Sequence, residues 1–173
     1  MQNQVKKYVV SVLVENHAGV LSRVSGLFSR RGYSIDSLTV GETLNPGQSR
    51  MTIVVRGDES ILEQIIKQLS KLIEVISIEH CDTSKTVIRD MALIKVSAKG
   101  AERAGIIEVA NIYRGRIVDV GTESLVIEAT GSDEKIESFI RLLKPYGIIE
   151  LVRTGQTAMA RGDKILESFE CGE

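Results

Sequence analysis

The sequence predicts an α+β fold of two tandem βαββαβ units, each an antiparallel sheet with its helices on one face. Three observations point to it. Apolar runs rich in β-branched residues alternate with stretches whose apolar residues recur at helical spacing. The order strand, helix, strand, strand, helix, strand occurs twice along the 173 residues. Short matches then tie the halves together: Arg31-Gly32 answers to Arg114-Gly115 at an offset of 83, and Gly57 to Gly131 at 74. Only the hairpin is therefore shorter in the second copy, by nine residues, as expected of an internal duplication.

In the first half, Val9, Val10, Val12, Leu13 and Val14 make a strand with too few polar interruptions to be half-exposed. From Gly19 onward, Leu21, Val24, Leu27 and Phe28 recur every three or four residues, giving one apolar helix face that ends near Gly32. Ile35, Leu38 and Val40 lead to the turn-rich NPGQS. Met51, Ile53 and Val55 then alternate along the return strand of a long hairpin. Asp58 is placed to cap a helix carrying Ile61, Leu62, Ile65, Ile66 and Leu69, and EVISIEH restores a strand.

CDTSKTVIRD reads as a polar connector. After it come ALIKVSA as strand, AGIIEVANIY as helix, RIVDV and SLVIEAT as hairpin, KIESFIRLLKPYG as helix and IIELVR as strand. The expected domains are 1–81 and 82–173, the second including the tail. A split βαβ pattern of this kind is ferredoxin-like, since each crossover must be right-handed and spans an inserted strand. The sheet face away from the helices would be bare. Apolar residues there are costly in water at about 25 cal/mol per Å2, so a second sheet or subunit is expected to cover them, and a homodimer is predicted.

Composition removes several function classes. Hydrophobic residues make up 43% of the chain, enough for a packed core. Twenty-two Lys and Arg against 23 Asp and Glu leave a net charge of -1, so no global field draws nucleic acid or an anionic membrane. No apolar run approaches the roughly 18 residues of a membrane helix, and MQNQVKKYVV lacks the ordered regions of a signal peptide. A cytoplasmic protein is expected. Cys81 and Cys171 stand far apart, as free thiols rather than a disulfide framework or zinc ribbon.

No catalytic constellation stands out. The chain has two His and no G-x-x-x-x-G-K-[ST], G-x-G-x-x-G or G-x-S-x-G. His80, Cys81 and Asp82 are adjacent, but adjacency is not the spaced geometry of a metal site, and a strand end accounts for them. Ferredoxin-like sheets can stack bases on aromatics, yet only 4% of residues are aromatic and Arg30-Arg31 fits the last turn of a helix. RNA binding is the weaker alternative.

The segment ENHAGVLSRV, from Glu15 to Val24, joins the first strand to the first helix. Turn chemistry alone accounts for Asn16 and Gly19 there. A ligand accounts for them too. Helix N-termini offer unpaired N–H groups and positive potential to a carboxylate, Gly19 permits close approach, the Asn16 amide both donates and accepts, and Val20 with Leu21 gives an apolar wall. A small hydrophobic amino acid fits that description.

VSVLVENHAGVLSRVSGLFSRRGYSIDSLTV resembles the opening of acetolactate synthase (acetohydroxyacid synthase) small regulatory subunits, and the first half resembles an ACT domain. SRMTIVVRGD, LEQIIKQLSKLIEV, IYRGRIVDV and RTGQTAMARGDK resemble the same family in the same order. The resemblance implies a subunit without an active site. Such a subunit activates a separate catalytic large subunit, which holds thiamine diphosphate, FAD and Mg, and confers feedback inhibition by valine in branched-chain amino acid biosynthesis. It also implies an effector site where two ACT domains meet. Asn16, His17, Ala18, Gly19, Val20 and Leu21 would come from one subunit and Ser34 and Ile35 from the other. Ser34 stands where the family often carries Asn, and its hydroxyl offers fewer hydrogen bonds. KGAERAG, the matching loop of the second half, lacks the Asn-x-x-Gly arrangement, so no second effector site is expected. The second half and tail are expected to serve activation. The alternative within this class is a stand-alone amino-acid-sensing ACT protein with another partner.

Overall fold

The computed structural model describes residues 6–166. In the first half, β1 (Lys6–Glu15), α1 (Val20–Arg31), β2 (Ile35–Glu42), β3 (Gln48–Gly57), α2 (Glu59–Leu69) and β4 (Val75–His80) follow in order. They form an antiparallel sheet of order β2-β3-β1-β4. The second half repeats this with β5 (Thr86–Ser97), α3 (Glu102–Ile112), β6 (Arg116–Val120), β7 (Ser124–Gly131), α4 (Asp133–Leu143) and β8 (Ile148–Arg153), in the sheet order β6-β7-β5-β8. A last strand, β9 (Thr157–Ala160), pairs with β5.

The expected fold class holds in both halves: each is a ferredoxin-like βαββαβ unit. Asp58 caps α2 by accepting the Ile61 N–H, and Ser132 caps α4 by accepting that of Lys135. In the first core, Val10, Val12 and Val14 of β1 and Met51, Ile53 and Val55 of β3 pack with Val24, Leu27 and Phe28 of α1 and Leu62, Ile65 and Leu69 of α2. The second core joins Ala92, Ile94 and Val96 to Ile106, Ala110, Ile127, Ile136, Phe139 and Leu143.

Four differences from the sequence reading have physical causes. First, the connector is shorter than CDTSKTVIRD suggests, because β5 already begins at Thr86 and buries both Thr86 and Asp90. Secondly, the tail groups with the first half. One compact unit runs to Val87 and resumes at Gln156, while the other is Ile88–Gly155. Lys164 pairs with Glu79, and Ala158 is buried, within the first unit.

Thirdly, the face of the first sheet away from its helices is not bare. Val9, Leu13 and Val54 are 6%, 7% and 2% exposed in the single chain, and Ser11 and Thr52 on the same face are also buried. The cover expected for this face is thus already present within the single chain. In the second unit the corresponding face is more open, with Leu93 and Val126 half-buried and Val152 exposed.

Fourthly, the Arg-Gly match is out of register with the backbone. α1 ends in a left-handed Gly32 (φ 68°), with the Tyr33 N–H reaching back to Phe28 O. After α3 the Gly115 N–H makes the same bond to Ala110 O, so the left-handed position falls on Arg114 (φ 55°), one residue before the aligned glycine. A side chain there costs about 1 kcal/mol. Arg114→Gly is expected to raise stability by about 0.5–1 kcal/mol, seen as a melting temperature higher by about 2–4 °C per kcal/mol.

Candidate functional site

The junction between β1 and α1 is built from a buried strand that stops abruptly. Val14 is fully buried, whereas Glu15, Asn16, His17, Ala18 and Gly19 are exposed. Backbone bonds fix the exit: the Glu15 N–H donates to Glu74 O at 2.9 Å and the Asn16 N–H to Gly47 O at 2.8 Å. The Asn16 side chain donates through Nδ2 to Pro46 O at 2.9 Å and to Glu42 Oε2 at 3.3 Å. Its amide therefore ties the loop to the hairpin turn between β2 and β3. The His17 ring lies against its own loop, with Nε2 3.1 Å from Glu15 Oε2 and Nδ1 3.1 Å from Ala18 O.

Gly19 occupies the N-cap position of α1 in the left-handed region, φ 93°, and no side chain caps the helix. A Cβ at Gly19 would meet no atom within 4 Å, so the space in front of the helix end is open. The first turn of α1 has no acidic residue, whereas those of α2 and α4 carry Glu59 and the Asp133–Glu134 pair. Positive potential at the start of α1 is thus not balanced by its own turn. Val20 is buried in the core at 3% exposure, leaving Leu21, at 46%, as the exposed apolar side chain of the two.

Ser34 and Ile35 lie elsewhere in the same chain. Ile35 pairs with Val55 at one end of the sheet and Glu42 with Ser49 at the other. Six residue steps along a strand separate these levels, about 20 Å. The structure thus groups residues 16–21 and sets Ser34 and Ile35 apart from them within one chain. Ser34 is exposed, and Ile35 packs against the core.

Glu74 was not singled out by sequence. Its side chain is 7% exposed and accepts from Arg23 Nη1 of α1, while its main-chain oxygen holds Glu15. The only prior signal was an acidic residue opening an apolar strand. In the second unit the matching corner is filled from within: Arg103 Nη2 donates to Gly121 O at 2.8 Å, Thr122 O at 2.9 Å and Ala98 O at 3.2 Å.

The cluster at the end of β4 is structural. His80 meets Tyr8 edge-on with ring centroids 5.7 Å apart, burial pushes the Cys81 thiol up, and the Ser84 amide and hydroxyl hold the Asp82 carboxyl below its usual range. No group of three metal-ligating side chains occurs among the described residues, nor any helix long and apolar enough to cross a membrane. Cys171 lies outside the described residues.

Comparison with known proteins shows the family. Residues 10–77 match the family described as AHAS small subunit-like ACT domain, and residues 89–162 match the small subunit of acetolactate synthase. The acetolactate synthase small subunit of Mycolicibacterium smegmatis is 52% identical over 164 residues, 95% of this chain and 96% of the relative. The chain belongs to the acetolactate synthase small-subunit family. A probable acetolactate synthase small subunit from Methanothermobacter thermautotrophicus is 51% identical over 160 residues, covering 92% of this chain and 95% of that one. The crystal structure of the small subunit from Thermotoga maritima superposes with a TM-score of 0.85 at 43% identity, over 92% of this chain and 99% of that one. As a regulatory small subunit of acetolactate synthase, the chain carries its uncapped loop inside the ACT-type match and its β9 tail inside the second.

Proposed function

We propose that this small subunit binds valine at the β1–α1 junction, between the ACT-type units of two copies, and so switches its effect on the catalytic large subunit. The reading is favoured chiefly by the start of α1: a helix end with no side-chain cap and no acid in its first turn, opened by Gly19 beside an exposed loop. The effector carboxylate would take the free N–H groups, Leu21 would face its aliphatic chain, and Ser34 and Ile35 of a second copy would complete the pocket with Asn16, His17, Ala18, Gly19 and Val20. Asn16 shapes the loop in this reading, since its amide hydrogens already serve the hairpin.

Catalysis belongs to the large subunit, with its thiamine diphosphate, FAD and Mg, in the cytoplasmic pathway to the branched-chain amino acids. Regulation then requires that valine favour one arrangement of the paired subunits over another, since a ligand of equal affinity for both shifts nothing.

Gly19→Asp is expected to remove valine binding, because a carboxylate set at the helix end competes for the same N–H groups and repels the effector. Isothermal titration should show valine heat in the parent protein and none in the variant, with helix content unchanged by circular dichroism. In the reconstituted holoenzyme the variant should activate while resisting valine. A variant that still bound valine like the parent would displace the site from this loop.

A further inference from the structure

The first unit holds a cavity of about 450 Å3, open to solvent. Its lining includes Leu13 and Arg50 on the face away from the helices, Leu44 of the β2–β3 turn, and Met159 and Ile165 of the tail. Leu44, Met159 and Ile165 are all strongly exposed, Leu44 completely, so three large apolar side chains converge on one opening.

Arg50 is half-buried and sits between Leu13 of β1 and Gly41 of β2 in the sheet. Its Nε donates to Ser11 Oγ at 2.9 Å, and among the described residues no carboxylate lies within ion-pair distance of it. Gly41 leaves open space beside it. The lining contains no Asp or Glu among the described residues, and Lys164 at the rim already pairs with Glu79.

We propose that this cavity is a binding site for a small aliphatic carboxylate lacking an amino group. The Arg50 guanidinium offers its two Nη groups to the carboxylate as a planar fork, and Leu13, Leu44, Met159 and Ile165 receive the aliphatic chain. An ammonium finds no acceptor of opposite charge there and meets the field of Arg50. The site therefore discriminates by charge against the zwitterions that the β1–α1 junction is built to hold, and it does not depend on the valine reading.

The test uses the full chain labelled at its Met, Leu and Val methyls, titrated with 3-methylbutanoate, valine and 2-methylpropylamine. Binding of 3-methylbutanoate with Kd about 1 mM, moving the Met159 and Leu44 methyl resonances, is expected, and the amine should move neither. Valine acting at the β1–α1 loop should move Leu21, and whatever shift the Asn16–Pro46 bond passes on to Leu44, it should leave Met159 in place, so failure of one reading is visible separately from failure of the other. Arg50→Gln should weaken the carboxylate about tenfold or more. Leu44→Asp, at a fully exposed position with no fold role, should weaken it likewise. Met159 and Leu44 resonances of the parent chain that stay fixed at about ten times the expected Kd, or a Met159 resonance that moves in both variants as it does in the parent, would overturn the assignment.

Discussion

Replacing Arg153 by Met is expected to destabilise the chain by about 3–5 kcal/mol. Arg153, at the end of β8, donates through Nε to Asp90 Oδ2 at 2.7 Å and through Nη2 to Asp133 Oδ1 at 2.8 Å. It also bonds Glu137 and makes a second contact with Asp90. The Asp90 side chain is 1% exposed. Burial works against the charge of Arg153, but its hydrogen bonds to Asp133 and Asp90 and the charge of Asp90 outweigh it and push its pKa above the ordinary value.

Met fills much of the aliphatic path of Arg153 but leaves Asp90 buried without the cation it faced, with the Thr154 hydroxyl near its other oxygen. The cost is that of an uncompensated buried charge rather than of lost packing. Urea denaturation measures the loss, and hydrogen exchange at the β5 amides places it. A second substitution, Asp90→Leu in the Arg153→Met background, should recover part of it, because removing both charges ends the penalty. A double variant no more stable than the single would mean that the cost was packing after all.

Phe139→Ala should cost a similar amount, about 3–5 kcal/mol, by a different route. Phe139 is fully buried on α4 and stacks on Tyr113 after α3, with centroids 5.0 Å apart and planes at 22°. Tyr113 is held in turn by its hydroxyl, 2.7 Å from Ser138 Oγ. Truncation leaves a hole between the two helices, and the tethered tyrosine cannot collapse into it. Phe139→Leu, which refills most of the space, should cost less than half as much in the same denaturation measurement. Domains are stable by only about 5–15 kcal/mol, so either large loss removes a substantial share.

Local pattern made most of the fold legible. IIELVR is β8 residue for residue, and Asp58 caps α2 as its position before an apolar helical stripe suggests. What escaped was set at long range. TVIRD reads as connector because Thr86 and Asp90 are polar, yet both are buried in β5, and Asp90 is tolerated there only because Arg153 arrives 63 residues later. The loop followed the same rule. Asn16 and Gly19 were recognised from residue type, but the partners of Asn16, Glu42 and Pro46, come from a turn some 30 residues away. The burial of Val20 follows from where α1 lands on the sheet, which spacing alone does not give.

The distance of about 20 Å between the two ends of β2 carries a consequence for counting. If the proposed valine site is right, a chain that presents the loop of residues 16–21 at one end and Ser34–Ile35 at the other supplies two different halves of it, which lie too far apart to meet on one chain. In a twofold, isologous pair each copy supplies its loop to one pocket and its Ser34 edge to the other, so pockets arise in twos. The stoichiometry would then be two ligands per pair. A heterozygous pair with Gly19→Asp in one copy would lose one pocket and keep the other intact.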